Sequence, residues 1–326
     1  MKTMSNNLRG IGFLVLATLV FSLQDVAVKW ISGDYSVIQI VVFRSAIALP
    51  ATLVLFRMEG GRGRPTTQRR RLEYVRGFFF FLSFTSYMMA LAAMPLAELA
   101  TIRNSAPLMI TFLSVVWLRE KVDLRRWLAL FIGFVGVLFI VKPGSAAFNL
   151  GSIFALMAML FYALNAMLTH KLRASDSSAT MAYYSSLVYL AASILLAPLP
   201  VAVGEISDAH PSIAFLFRAW AMPGLLDLVI MSGLGLVWAV GMYFVARAYS
   251  TAQASVAAPF EYVALPISVI WGFLFWHEVP TLATWIGAFL TIGSGLYILY
   301  RERREQPTKV VQSSESAQVQ NAPIKP

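Results

Sequence analysis

Ionisable side chains interrupt stretches of this sequence that are otherwise apolar, among them Asp25, Lys29, Arg44, Glu98, Arg103, His170, Arg247 and Glu261. The amides Gln24, Asn104, Asn165 and Gln253 interrupt them too. In an apolar setting such groups can neutralise one another, relay protons, or hold the polar end of a solute. Asp25 and Glu261 are the acid and base that a membrane-embedded enzyme would need. Asp25 and Lys29 stand four residues apart, on one helical face, and can pair. Trp30, Tyr87, Trp238, Tyr243 and Tyr262 offer rings on which a planar solute could stack, although Trp and Tyr also serve as ordinary interface anchors. Lys29, Glu98, His170 and Arg247 lie near the ends of apolar stretches, where a long side chain reaches the interface. Asp25, Arg44, Arg103 and Glu261 lie deeper, where a charge needs a partner or a function. The candidate substrate-binding set is therefore Gln24, Asp25, Arg44, Tyr87, Arg103, Asn104, Asn165, Trp238, Glu261 and Tyr262.

Other chemistries lack their residues. The chain has no cysteine, which removes disulfides, thiolate metal sites and cysteine catalysis. Its three histidines, His170, His210 and His277, fall in unrelated segments, so no metal site is expected. There is no Walker loop, and Gly233-Leu-Gly235 lacks the third glycine and the preceding strand of a dinucleotide fold. No catalytic residue and no cofactor is assigned.

The elements that must carry these residues are membrane spans. The chain has 326 residues, 58% hydrophobic and 13% charged, with a mean hydropathy of +0.69. About a quarter of residues are charged in soluble domains. Ten apolar runs near the ~20-residue spanning length are expected at 10–31, 37–56, 77–94, 97–118, 127–141, 150–170, 181–203, 226–248, 254–275 and 282–300. With the N-terminus inside, 21 Lys and Arg residues fall on the inner side and only Lys142 and Arg218 outside. That asymmetry directs both termini to the cytoplasm. It also accounts for the net charge of +10 without nucleic acid: the Arg-rich loop 57–76 reads as topogenic and lipid-facing. The first run continues to Ile31 without a clean cleavage site, and reads as a retained helix rather than a leader. Residues 301–326 are polar and read as a disordered cytoplasmic tail.

The halves resemble each other. At an offset of 141, Gly10/Gly151, Phe13/Phe154, Ala17/Ala158, Leu19/Leu160 and Leu23/Leu164 are identical, as are Ser45/Ser186, Leu49/Leu190, Ala51/Ala192 and Leu55/Leu196. The offset then drifts to 158, pairing Glu120/Glu278 and Trp127/Trp285. Five helices per repeat is an odd number, so the second repeat enters the membrane inverted, an arrangement of secondary transporters. The first-half polar residues then occupy the outer parts of their helices and the second-half ones the inner parts. Gly133, Gly136, Gly293 and Gly295 read as sites of close helix packing.

Glu98-Leu-Ala100, Pro107, Trp117-Leu-Arg-Glu-Lys-Val, Trp127 and Gly133 to Gly136, with Pro266, Trp276-His-Glu-Val-Pro, Trp285 and Gly293 to Gly295 in the second half, resemble the ten-helix EamA-type branch of the drug/metabolite transporter superfamily. The resemblance runs from Gly10 to Tyr300. It implies an all-α integral membrane fold, two inverted five-helix repeats (10–141 and 150–300) around a central cavity. It further implies inner-membrane transport of a small organic solute. Riboflavin uptake heads the candidates, followed by amino acids, nucleoside-like metabolites and S-adenosylmethionine, by import or export. Expected partners are the solute, the lipid bilayer and, as a candidate, a second copy of the chain. A polytopic enzyme lacks a nucleophile constellation, and a scaffold leaves the deep charges of both halves without a purpose.

Overall fold

A computed structural model of the chain describes residues 2–58, 60–118, 123–144, 148–172, 175–204, 206, 209–251 and 258–320. Among them there are helices, turns and loops and no strand. The first half comprises α1 (Lys2–Ile31), α2 (Val37–Met58), α3 (Arg70–Leu91), α4 (Leu96–Asn104), α5 (Ala106–Leu118) and α6 (Leu124–Val141). The second comprises α7 (Leu150–Leu172), α8 (Ser178–Leu196), α9 (Pro198–Val203), α10 (Pro211–Phe217), α11 (Leu225–Thr251), a 3-10 turn (Ala258–Val263), α12 (Ala264–Trp276) and α13 (Leu282–Gln320). Nine segments among the described residues are long and apolar enough to cross a membrane, with α4–α5 and α8–α9 each forming one, and Phe260–Trp276 is a shorter tenth.

The helix boundaries repeat. At the offset of 141, α1 and α7 end at Ile31 and Leu172, and α2 and α8 begin at Val37 and Ser178. At 158, α5 and α12 match from Ala106/Ala264 to Leu118/Trp276, and α6 and α13 begin at Leu124 and Leu282. The fourth span breaks at Ser105, just before Pro107, whose ring and missing N–H interrupt the helical ladder. Its counterpart breaks at Val263, ahead of Pro266. Local chemistry fixes other ends. The Asp123 carboxylate accepts the Arg126 N–H at 3.3 Å and starts α6, and Lys142, with φ of 49°, ends it.

The halves interlock instead of standing side by side. α1 packs on α11 and α3 on α7, so the first helix of each half lies on the third of the other. α2 packs on α8, and α6 on α13, each with its own counterpart. Outward faces are apolar: Phe131, Leu195, Ile270 and Phe289 are each more than half exposed. Such a continuous apolar surface suits lipid. Polar contacts join ends that alternate crossing places together: Arg301 with Asp123 at 2.7 Å on the side carrying the termini, and Lys29 with Glu278 on the far side.

Of the four glycines expected to pack closely, Gly133, Gly136 and Gly295 do and Gly293 does not, having no neighbour within 4 Å of an added Cβ. Gly287 takes that role. A Cβ there would sit 2.6 Å from the Gly136 carbonyl oxygen, and one on Gly136 would sit 2.8 Å from that of Gly287, so the α6 and α13 backbones touch.

The rise in offset puts 17 extra residues between the second and third spans of the second half. This region, with α10, caps the far side. Phe215 is fully buried, Leu216 O accepts the Ser36 hydroxyl at 3.2 Å, Ala221 O accepts the Gln39 amide at 2.6 Å, and Arg218 donates to Ser32 O. The Tyr35 hydroxyl donates to Asp227 at 2.7 Å. That bond, with burial second, raises the phenol above its ordinary pKa and keeps it a donor. On the other side, α13 continues past Tyr300 into the polar segment as far as Gln320.

Candidate functional site

Thr18, Ser22, Asp25 and Lys29 follow one another at spacings of four, three and four, which places them on one face of α1. All four are largely buried. A membrane helix turns its polar stripe away from lipid, and this one meets partners from three other elements. The Leu14 carbonyl accepts the Thr18 hydroxyl at 3.0 Å, and Ser22 accepts the Trp271 indole N–H at 3.0 Å.

Asp25 Oδ2 accepts the Tyr87 hydroxyl at 2.8 Å and Arg103 Nη1 at 3.2 Å, and Arg103 also donates to the Tyr87 oxygen at 3.2 Å. Asp25 thus pairs with Arg103 of α4, not with Lys29 as the four-residue spacing allows. The rest of the stripe explains why: Lys29 is drawn one turn outward to Glu278 and to the Met94 carbonyl, while Glu278 Oε2 accepts the Leu96 N–H at 2.9 Å. These bonds link α1, the start of α4 and the α12–α13 connection on the far side. Asp25 lies six residues from the far end of α1, about 9 Å at 1.5 Å per residue.

A second constellation lies deeper. A small cavity of about 10 Å³ opens between α2, α3, α8 and α11. Its walls are Arg44, Ser45 and Ala48 facing Ser185, Ser186 and Tyr189, with Phe80 opposite Trp238. These eight are four repeat-equivalent pairs. Arg44/Ser185, Ser45/Ser186 and Ala48/Tyr189 are 141 apart, and Phe80/Trp238 are 158 apart. Equivalent positions of inverted halves meet only on the axis relating them. Positions 44–48 are the eighth to twelfth of α2, and 185–189 the eighth to twelfth of α8, entering from opposite sides. At 1.5 Å per residue they lie roughly 10–17 Å from the ends at which their helices enter, a range that takes in the middle of a core about 30 Å thick.

Arg44 is 3% exposed and its Nη1 has no hydrogen-bond partner. Among the described residues no carboxylate pairs with it. Its guanidinium lies 3.7 Å from the Phe84 ring centroid and 5.8 Å from that of Tyr189, whose hydroxyl is spent on Phe80 O at 2.8 Å. The ring faces ease but do not neutralise the charge.

The ten expected residues therefore fall into separate groups. Asp25, Tyr87 and Arg103 join one cluster, with Tyr87 acting through its hydroxyl as well as its ring. Arg44 and Trp238 share the axial cavity. Gln24 Oε1 and Asn104 Nδ2 are buried without partners. Asn165 is engaged elsewhere: its amide donates to the Arg76 carbonyl at 3.0 Å, beside the buried Glu73–Arg76 pair at 2.9 Å. Glu261 is exposed in the 3-10 turn, 158 residues after Arg103 and so at its repeat-equivalent position. The neighbouring Tyr262 hydroxyl is buried against Gly295. Glu98, read as interfacial, accepts the Thr284 hydroxyl at 3.1 Å. Gln253, Glu120 and the side chain of His170 lie outside the described residues. Sequence reasoning missed Thr18 and Ser22, whose helical spacing was a usable signal, and Phe80, Ser185 and Tyr189, which the repeat offsets could have found.

The model of the EamA-like transporter family matches residues 8–142 and again 149–300. The chain is 27% identical to an S-adenosylmethionine uptake transporter of Rickettsia bellii, over 92% of this chain and 97% of that one. It is 28% identical to a riboflavin transporter of Vibrio cholerae, over 91% and 95%. A pseudopaline exporter, CntI, of Pseudomonas aeruginosa is 27% identical over 87% and 93%. A solved crystal structure shares the fold with a TM-score of 0.59 at 17% identity, covering 90% of this chain and 96% of that one.

Proposed function

This chain belongs to the EamA-like transporter family, and from that premise we propose that it carries its metabolite across the inner membrane by alternating access, with both termini in the cytoplasm. It is a metabolite transporter and not an enzyme, as the family and the similar proteins are. The observation that carries the mechanism is the doubled five-helix unit, matched twice and interlocked through equivalent helices. Two inverted units can exchange conformations, giving states open to either side. The Lys29–Glu278 contact and the α10 cap support a far-side-closed state.

In this reading the Asp25–Tyr87–Arg103 cluster and the Arg44–Trp238 cavity, with Gln24 and Asn104, line the path. Asn165, Glu261 and Tyr262 serve its terminus-side half. Riboflavin and S-adenosylmethionine are the solutes to try first, because similar proteins are named for them. The test is uptake of each labelled compound into proteoliposomes without nucleotide. Unchanged solute accumulating inside supports the reading, and no flux of either compound overturns it for these solutes. A homodimer belongs to the same proposal, and light scattering of the purified protein decides it.

A further inference from the structure

We propose that the axial cavity seats a carboxylate, so that the transported metabolite carries an acid group that docks on Arg44 at the middle of the membrane. This rests on the transport reading above and narrows its solute class.

Four observations lead there. Arg44 is buried, carries an unpartnered Nη1 and has no carboxylate of the protein against it among the described residues. An uncompensated charge in hydrocarbon is costly, so its retention on a wall of the cavity calls for an anion from outside the chain. A guanidinium offers a fork of donors that matches a carboxylate. Second, the hydroxyls of Ser45 and Ser186 stand on facing walls, and among the described residues neither is taken by a hydrogen bond. Third, Trp238 and Tyr189 are buried and exclude water, which strengthens a charge-assisted hydrogen bond. Fourth, the enclosed space is small, about 10 Å³, room for one water-sized group. It takes a single carboxylate oxygen beside the guanidinium and leaves the rest of the solute outside it.

Charge selects among acids. One guanidinium offsets one negative charge, and no second basic residue lines the cavity among the described residues. A phosphate dianion would leave a charge unpaired, whereas a carboxylate leaves none. The half-turn symmetry supplies the rest of the logic. Arg44's equivalent is Ser185, already bound to Arg76 and to the Met181 carbonyl. A single positive charge thus lies where equivalent positions of the two halves face each other, and the same contact can be kept while the halves rock around it.

The experiment uses matched compounds that differ only in the acid: S-adenosylmethionine against its decarboxylated amine, and methionine against methioninamide. Thermal unfolding of the purified full chain is followed with each, for the wild type, Arg44→Gln and Arg44→Lys. Acids should raise the midpoint with an apparent affinity about tenfold or more above that of their partners, the scale of one charge-assisted contact. Arg44→Gln should lose that preference while unfolding no earlier than the wild type, because it removes an unpaired buried charge. Arg44→Lys should keep a weaker preference, and it decides the matter if Arg44→Gln does not fold. Equal stabilisation by acid and partner, a preference that survives Arg44→Gln, or no stabilisation by either acid overturns the proposal. Proteoliposome flux of the same compounds separates the two claims. Flux indifferent to the acid group sinks the carboxylate seat and leaves transport standing. Acid-selective binding with no flux sinks transport and leaves the seat.

Discussion

Gly77 and Gly235 occupy the same place in the two halves, 158 residues apart, and each presses a third helix onto the second helix of the other half. A Cβ on Gly235 would meet the Arg44 carbonyl oxygen at 2.6 Å and the Ala48 nitrogen at 3.0 Å. One on Gly77 would meet the Val188 side chain at 2.9 Å. These two contacts hold the walls of the axial cavity at their observed separation.

Gly235→Ala should therefore be worse tolerated than Gly77→Ala. Backbone cannot step aside as a valine methyl can, and overpacking costs about 1–3 kcal/mol, against which alanine returns up to about 1 kcal/mol of helix propensity. Thermal unfolding in detergent should show a lower midpoint for Gly235→Ala, with Gly77→Ala near the wild type. Equal midpoints would remove the steric argument.

The α6–α13 seam makes a parallel case with an internal control. Gly287→Leu should sharply reduce the yield of folded protein, since any side chain there runs into the Gly136 backbone. Gly293→Ala, with open space around it, should leave the yield unchanged and the midpoint unchanged or raised by the gain in helix propensity. Size-exclusion profiles of both variants check this.

Asp25 and Arg103 should behave as a pair. Asp25→Asn leaves the guanidinium without its carboxylate and should cost roughly 1–3 kcal/mol, less than for a fully buried pair, because the Arg103 side chain is 36% exposed. The double variant Asp25→Asn with Arg103→Gln should recover part of that loss. A double-mutant cycle on unfolding midpoints measures the coupling, and strict additivity would mean that the two act independently.

Glu278→Gln should loosen the far side, because it weakens the acceptor shared by Lys29 and the Leu96 N–H. The chain has no native cysteine, so a cysteine replacing the buried Met94 reports directly. Its labelling by an impermeant maleimide should speed up several-fold when Glu278→Gln is present. An unchanged rate would show that closure does not depend on this contact.

The orientation is tested in the same way. A cysteine replacing Arg64, exposed in the Arg-rich loop, should react with an impermeant reagent only after the membrane is permeabilised. Reaction in intact cells would place that loop outside and invert the topology.

Spans and repeat were legible because both rest on composition and register, which a one-dimensional string preserves. Even the break at Ser105 had its Pro107 to announce it. Pairing was not legible. Asp25 has a local partner at four residues and a real one 78 residues away in α4. Only the fold decides between them, since Lys29 is held by Glu278, 249 residues distant. Asn165 stood out because an amide in a span is unusual, but the string could not show that its amide donates to the Arg76 carbonyl, 89 residues away. The axial cavity was half visible: Ser45/Ser186 stood in the repeat alignment, but nothing in the alignment said that the two faced each other.

The 17 residues that distinguish the second half have one more effect. A molecule built of two equal inverted units would spend equal time facing either way. Here Ser32, Ser36 and Gln39 are engaged with the cap, and Tyr35 with the start of α11, on one side only. On the alternating-access proposal, every turn to the far-open form must release or carry those contacts. Each net 1.4 kcal/mol they contribute to the closed form lowers the occupancy of the other about tenfold. The resting population is tilted before any solute arrives, and a solute offered from the far side must first draw the protein out of its preferred posture.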